Sequence, residues 1–162
     1  MFDSEYEKKW NDYLVEGTSN VLKNNFGITN YDELLLKEAD ICAKKLFELH
    51  VNPVDGKFDT EHLKAIHKYL FEEIYPFAGE FRNVYMGKNG SYFSPVDEIE
   101  ESLKVAFIEF SEQLSKVQTK SDYNTLLVDM YIILLNIHPF REGNGRTIRE
   151  FIREYANSKS KD

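Results

Sequence analysis

One stretch of the chain decides how the rest is interpreted: residues 138–149 read HPFREGNGRTIR. The apolar segment before it suits a helix, and Pro139 ends that helix because proline disfavours helical backbone in the residue that precedes it. Gly143 and Gly145 carry no Cβ, so the backbone N–H groups around them can converge on one point. A helix that begins there adds its dipole, which attracts anions. The stretch therefore predicts an anion-binding turn between two helices.

The charged side chains of the same stretch suit a nucleotide. Arg146 and Arg149 are three residues apart, so they occupy neighbouring positions on the first turns of a helix, where two guanidinium groups can hold a polyphosphate. Glu142 offers a hard oxygen ligand for the Mg²⁺ that accompanies nucleotide phosphates. His138 titrates near neutral pH and can act as a general base. Each residue alone is more often structural, but together they indicate an active site that handles phosphates.

The remainder of the chain is helical in pattern. Helical patterns occupy six segments: Ser4 to about Glu16, Asn30 to about His50, Glu61 to Tyr75, Pro95 to about Val117, a segment ending near Ile137, and Gly143 to about Tyr155. The expected N-caps are Asn30, Thr60, and either Ser121 or Asp122. Residues 126–135 are apolar on nearly every side, which places their helix at the domain centre. The pattern predicts an all-α bundle around a central buried helix.

One segment, residues 81–93, breaks the helical pattern. Two short runs rich in β-forming residues flank the sequence GKNG at residues 87–90. Such an arrangement predicts a β-hairpin. The exposed edge of a hairpin can accept an extended peptide as an additional strand. A structural connector explains these residues equally well, so both interpretations stay open at this point.

Composition and charge exclude several classes of protein. The 162 residues carry 20 Lys and Arg against 28 Asp and Glu, a net charge of −8, which argues against general nucleic-acid binding. The single cysteine, Cys42, cannot form an internal disulfide. The first ten residues lack an apolar signal core, and the longest apolar run, 130–135, is too short to span a bilayer. We expect a cytoplasmic protein with no membrane association. Delivery into another cell by a specialised secretion system is compatible with the same sequence.

The stretch at 138–149 resembles the signature of the Fic family, His-x-Phe-x-(Asp/Glu)-Gly-Asn-Gly-Arg-x-x-Arg. Every specified position is filled, by His138, Phe140, Glu142, Gly143, Asn144, Gly145, Arg146 and Arg149. The likeness extends to residues 62–82 and 93–99, so it covers roughly 51–155. On this basis we expect a helical extension over 1–50, a Fic domain over 51–157 and a polar tail over 158–162. The resemblance implies a Fic-type helical bundle with the β-hairpin as a flap over the active site.

The resemblance also implies a reaction, the transfer of AMP from ATP to a Ser, Thr or Tyr hydroxyl of a target protein with release of pyrophosphate. His138 would deprotonate the hydroxyl, and Glu142 would hold Mg²⁺ on the α- and β-phosphates. The anion hole would be lined by Gly143, Asn144 and Gly145, with Arg146 near the β-phosphate, Arg149 at the γ-phosphate and Phe140 anchoring the loop. The flap turn, Lys88, Asn89, Gly90 and Ser91, would lie over the nucleotide, while the edge of the 81–93 hairpin would align the target strand.

Regulation and rival activities follow from the same resemblance. Fic enzymes are often inhibited by a helix carrying (Ser/Thr)-x-x-x-Glu-(Gly/Asn), but the two partial matches, residues 29–33 and 94–98, are followed by Leu34 and Ile99. We therefore expect a toxin or effector controlled by a separate small antitoxin, or an inhibitory segment beyond the chain. The alternatives are transfer of another phosphate-containing group and a non-catalytic nucleotide-binding module. His62 and His67 lack His-Glu-x-x-His spacing, so zinc is not expected.

Overall fold

The computed structural model describes residues 4–159, which form six α-helices and one two-stranded hairpin. The helices are α1 (Ser4–Asp12), α2 (Tyr31–Val51), α3 (Thr60–Phe71), α4 (Ile99–Leu114), α5 (Lys120–Ile137) and α6 (Asn144–Lys159), with a 3₁₀ turn at Val96–Glu98 before α4. The strands are β1 (Gly87–Lys88) and β2 (Ser91–Tyr92). No helix in this part of the chain is long and apolar enough to cross a bilayer. The predicted all-α fold with one hairpin is confirmed.

The helix starts show which side chains act as caps. Asn30 caps α2 as predicted, since its Oδ1 accepts a hydrogen bond from the Glu33 N–H at 3.0 Å. The predicted cap Thr60 is wrong, because Asp59 accepts from the His62 N–H and Thr60 is already helical. Ser121 and Asp122 are also wrong as caps, because Thr119 caps α5. Asp122 takes part instead as the third residue of a capping box, because its Oδ2 accepts a hydrogen bond from the Thr119 N–H at 2.9 Å.

The core centres on α3 rather than on α5. Helix α3 packs against α2, α4 and α6, and its apolar residues are almost completely buried: Leu63, Ile66, Leu70 and Phe71. It ends at Phe71, earlier than the predicted Tyr75, because the chain turns there before Pro76. Helix α5 packs only through one face, against α4 and α6, and leaves Val128, Ile132 and Ile133 exposed. The predicted central buried helix is therefore α3 and not α5, because the outer face of α5 has no neighbour among the described residues.

The hairpin is shorter than the predicted 81–93 segment. Gly87 pairs with Tyr92 and Lys88 with Ser91, and the Phe93 N–H donates to the Met86 carbonyl at 3.0 Å. The turn residues Asn89 and Gly90 both have positive φ angles, 53° and 78°. Two positive φ values are the requirement of the tight turn that matches strand twist, which explains Asn-Gly at this place. All four strand residues are exposed.

Residues 4–50 pack onto the bundle beside the 138–143 loop, where Arg141 lies over the rings of Trp10 and Tyr13. Helix α1 ends at Asp12, before the predicted Glu16, and Leu14 bridges to Leu22 in a buried turn. At the other end of the chain α6 continues through 158 and 159, so these two residues of the predicted tail are helical. Residues 160–162 of that tail lie outside the described residues.

Candidate active site

His138 terminates α5 with an unusual backbone conformation. Its φ and ψ are 51° and 62°, the left-handed region, while its N–H still donates to the Leu134 carbonyl at 3.0 Å. The imidazole stacks on Phe93, with ring centroids 3.8 Å apart and planes 4° apart. Because Phe93 directly follows β2, this stack connects His138, the candidate general base, to the end of the hairpin.

The protonation of His138 suits a general base. Its Nδ1 lies 3.2 Å from the Leu135 carbonyl, and because a carbonyl only accepts, Nδ1 carries the proton and Nε2 presents its lone pair. Burial lowers the pKa of His138, and the positive charges of Arg82 and Lys88 act in the same direction. The imidazole is therefore neutral at pH 7, as a base must be.

The loop after His138 is held by buried contacts. Phe140 is completely buried and stacks on His67, with centroids 3.9 Å apart. The Asn144 side chain bonds both backbone groups of Phe140, accepting from its N–H at 2.9 Å and donating to its carbonyl at 2.7 Å. Phe140 is therefore buried and held at both backbone groups, and the Asn144 side chain braces the loop and leaves only its backbone N–H to face an anion.

His67 also supports the loop, a role that the sequence does not predict, since His67 is considered there only as a zinc ligand. Its Nδ1 accepts from the Gly79 N–H at 2.8 Å, so Nε2 carries the proton and donates to the Glu142 carbonyl at 2.9 Å. Burial lowers the pKa of His67 to about 4, which keeps this bridge neutral and intact at pH 7. Its place on the apolar stripe of α3 marks it as buried. No local pattern identifies its partner, because Glu142 is 75 residues away.

The first turn of α6 is shaped by two glycines. Gly143 has φ 80°, and a Cβ there would overlap the ring of Phe71, so only glycine suits this position. A Cβ at Gly145 would lie 3.0 Å from Nη1 of Arg149, so the absence of a side chain leaves room for that guanidinium over the helix start. The N–H groups of Asn144, Gly145 and Arg146 at the start of α6 have no acceptor within the helix and suit an anion, whereas the Gly143 N–H donates to Glu142 Oε1 at 2.9 Å.

The two motif arginines differ in their surroundings. Nη2 of Arg146 lies 2.6 Å from Glu38 Oε1 and 3.5 Å from Glu142 Oε1, and its guanidinium covers the Phe71 ring. Burial opposes the charged form of Arg146, but the Glu38 carboxylate outweighs it and raises the pKa. Arg149 is exposed and has no ion pair within residues 4–159. Of the two predicted phosphate ligands, Arg149 alone presents an unneutralised charge.

Glu38 is the second functional candidate that the sequence missed. It projects from α2, its side chain is 8% exposed, and its Oε2 accepts from the Tyr75 hydroxyl while Oε1 pairs with Arg146. Burial and this hydrogen bond raise the pKa of Tyr75. Only the helical spacing of α2 could have indicated Glu38, since it places an acidic residue near the apolar stripe.

Glu142 has the chemistry of a single-carboxylate metal ligand. Its side chain is 42% exposed, and Oε1 accepts from the Gly143 N–H at 2.9 Å. The described residues contain no group of three or more His, Cys, Asp or Glu side chains that could hold a metal by themselves. Mg²⁺ at nucleotide sites is held by one or two carboxylates together with phosphates, so one accessible carboxylate beside an anion turn is compatible with it.

A third missed residue is Arg82, which lies beneath the loop. Its side chain donates to four backbone carbonyls, those of Val84, Ser94, Ile137 and His138. Val84 and Ser94 lie on either side of the hairpin, and Ile137 and His138 lie at the end of α5. Above them the predicted flap residues Lys88, Asn89, Gly90 and Ser91 are all exposed, and Lys88 is close enough for its charge to act on the pKa of His138.

Comparison with known proteins agrees with this geometry. A profile of the Fic/DOC family matches residues 57–156. Over 151 residues the chain is 35% identical to protein adenylyltransferase VbhT of Bartonella schoenbuchensis, covering 90% of this chain and 31% of that protein. Over 146 residues it is 30% identical to the probable protein adenylyltransferase y4lH of Sinorhizobium fredii, covering 87% and 73%.

A solved structure shows the same fold. The N-terminal Fic domain of a VirB-translocated Bep effector protein from Bartonella quintana, with bound ADP, has a TM-score of 0.83 at 26% identity, covering 91% of this chain and 76% of that one. The chain belongs to the Fic/DOC family. It spans about a third of the length of VbhT.

Proposed function

We propose that the protein is an adenylyltransferase that moves AMP from ATP to a hydroxyl group of a target protein. The observation that carries this proposal is the joining, in one braced loop, of a neutral His138 with a free Nε2 to the anion-binding first turn of α6. The names of the relatives and the nucleotide bound to the Bartonella quintana domain support the same reaction.

The proposed reaction assigns one role to each of these residues. Nε2 of His138 takes the proton of the target hydroxyl while the hydroxyl oxygen forms a bond to the α-phosphorus. The bond between the α-phosphorus and the bridging oxygen breaks, and pyrophosphate leaves with that oxygen. The N–H groups at the start of α6 receive the charge that develops on the α-phosphate, and Arg149 is free to hold the terminal phosphate.

Magnesium would be held by Glu142 together with the phosphates. Bound there, Mg²⁺ would neutralise phosphate charge. The Glu142 carboxylate is accessible, and the Glu142 backbone carbonyl is fixed by His67. The neighbouring Arg146 is already neutralised by Glu38. Arg146 would therefore set the position of Glu142 as well as face the phosphates.

The test of the reaction is the substitution His138→Ala with two labelled forms of ATP. Transfer should fall by about 10²–10⁴-fold because the base is lost, while ATP affinity stays unchanged because the α6 turn is intact. His50→Ala, at the end of α2 and half exposed, serves as the matched histidine control. Label on the α-phosphate should reach protein and label on the γ-phosphate should not.

Three other results would contradict the proposed reaction or its assignment of the base. Incorporation of the γ-label would show a kinase. ATP binding without incorporation of either label, by a folded protein presented with a broad set of lysates, would show a non-catalytic module. Undiminished labelling by His138→Ala would remove His138 from the role of base.

The hairpin is our proposed docking site for the target. Both of its strands are exposed, and the Phe93 ring connects its base to His138. An extended target segment added at this edge would be held by main-chain hydrogen bonds near the base, with no requirement for one target sequence.

Control by a separate protein is also part of the proposal. Arg149 is exposed and unpaired within the described chain, so a helix carrying Ser-x-x-x-Glu-Asn on a small antitoxin could place a carboxylate on it and exclude the terminal phosphate. The need for ATP supports action in a cytoplasm, either that of the producing cell or that of a recipient.

A further inference from the structure

Arg82 forms a clamp beneath the candidate base. Its Nε donates to the His138 carbonyl at 2.7 Å, Nη1 to Val84 at 2.8 Å, and Nη2 to Ser94 at 2.6 Å and to Ile137 at 3.2 Å. Its own N–H donates to the Pro139 carbonyl at 2.9 Å. One side chain thus binds the end of α5 and both ends of the segment that carries the hairpin.

The burial of this cation requires an explanation. Arg82 is 2% exposed, and no carboxylate pairs with it anywhere in residues 4–159. Burying a charge without a counterion is costly unless hydrogen bonds and dipoles replace its hydration. Here the carbonyls at the end of α5 supply the negative end of a helix dipole, where a cation is stabilised. The arrangement satisfies the guanidinium only if all these carbonyls stay in place.

The conformation of His138 depends on the same carbonyls. A left-handed conformation is unfavourable for residues other than glycine and persists where the surroundings enforce it. The hydrogen bond from Arg82 fixes the peptide plane after His138, and the Phe93 stack fixes the ring. Loss of the hydrogen bond from Arg82 would allow the His138 ring to move away from Phe93.

We propose that Arg82 is a positioning residue for the transfer reaction, holding the His138 backbone and the two ends of the hairpin segment in one arrangement through its planar guanidinium. This inference rests on the proposed function. It assigns to Arg82 no contact with substrate, only the placing of the base relative to the flap.

The test is Arg82→Lys, which keeps the charge and loses the fork of donors. We expect kcat for AMP transfer to fall roughly 10–100-fold, because small displacements of a reacting group are that costly. KM for ATP should stay within about twofold, because Arg82 does not contact the substrate. The proton resonance of the His138 ring should lose the shift caused by Phe93, and its pKa should rise toward the ordinary value as the ring becomes solvated. With four histidines in the chain, the signal is assigned by its absence in His138→Ala.

Arg153→Lys is the matched control. Arg153 also donates to a backbone carbonyl, that of Leu49, and pairs with Glu150 on α6. Its substitution should lower stability and leave kcat and the His138 resonance unchanged. A folded Arg82→Lys protein with wild-type kcat and a wild-type His138 titration would overturn the proposal.

A measurement on the unaltered protein covers the case in which Arg82→Lys does not fold. The Nε–H proton of Arg82 should exchange with solvent at least about 100-fold more slowly than that of the exposed Arg149, because it opens only with the loop. Equal exchange rates would overturn the clamp. If the wild-type protein transfers no AMP, the proposed function fails, while the His138 titration and the exchange rates still decide the role of Arg82.

Discussion

Replacing Glu38 by glutamine should destabilise the protein by about 2–3 kcal/mol, although Glu38 lies outside the 57–156 region that matches the family. The change keeps the size of the side chain and its hydrogen bond from Tyr75, and removes the charge that faces Arg146 at 2.6 Å. Breaking a buried ion pair by removing one partner costs about 3–5 kcal/mol.

Two features reduce that figure. Arg146 is 24% exposed, so water solvates part of the guanidinium once Glu38 is neutral. Glu142 at 3.5 Å also continues to neutralise it, and the Phe71 ring stays beneath it at 4.9 Å. For a chain of this size the loss corresponds to a fall in Tm of roughly 5–10 °C.

The assay is denaturant unfolding followed by circular dichroism, with Glu48→Gln as control. Glu48 lies on the same helix and also accepts from a tyrosine hydroxyl, that of Tyr69, but its cation Lys44 is 3.9 Å away and well exposed. The control should cost less than about 1 kcal/mol. A double-mutant cycle with Arg146→Met should give a coupling of about 1–3 kcal/mol. Equal losses for both glutamine variants, or a coupling near zero, would refute the reasoning.

Two further predictions concern nucleotide binding and pH. Arg149→Ala should weaken ATP binding about tenfold and ADP binding much less, as measured by calorimetry, because its proposed partner is the terminal phosphate; equal losses would move Arg149 away from that phosphate. Because the pKa of His67 is lowered to about 4 in the folded state, the unfolded state binds more protons below about 6.5, so stability present at pH 7 is lost as the pH falls toward 4. We expect about 2 kcal/mol less stability at pH 5 than at pH 7, a difference that His67→Gln should reduce; an unchanged pH dependence in that variant would contradict the assignment.

The sequence predicts those features that local chemistry determines. The helix predicted from 30 to 50, the central part of the one predicted from 95 to 117, the Asn-Gly turn and the turn between α5 and α6 follow from periodicity, caps and glycines, which act over a few residues. Predicted caps at Thr60, Ser121 and Asp122 were wrong by one to three positions, because the oxygen that reaches the free N–H belongs to a residue just before the helix.

The residues that support the loop could not be predicted in the same way. Glu38, His67 and Arg82 are ordinary members of their own segments, and each meets the loop or its arginine across more than fifty residues of sequence. Their roles are created by packing, since only the folded bundle brings α2, α3 and the hairpin to one place. The exposed outer face of α5 escaped prediction for the opposite reason, because composition shows which surfaces are apolar but not which ones find a neighbour.

Under the proposed function the site separates into residues that act on the substrate and residues that fix their geometry, and the two groups should respond differently to substitution. Arg149 is exposed, and Nε2 of His138 has no hydrogen-bond partner among the described residues. Replacing either residue should therefore remove chemistry or binding with little effect on folding. Glu38, His67 and Arg82 are buried and fully hydrogen-bonded, so replacing them leaves polar groups of the loop without partners and lowers stability together with rate. A substitution that slows transfer without loss of stability thus indicates the first group. One that lowers both indicates the second, and the three supporting residues connect the reaction to α2, α3 and the hairpin in turn.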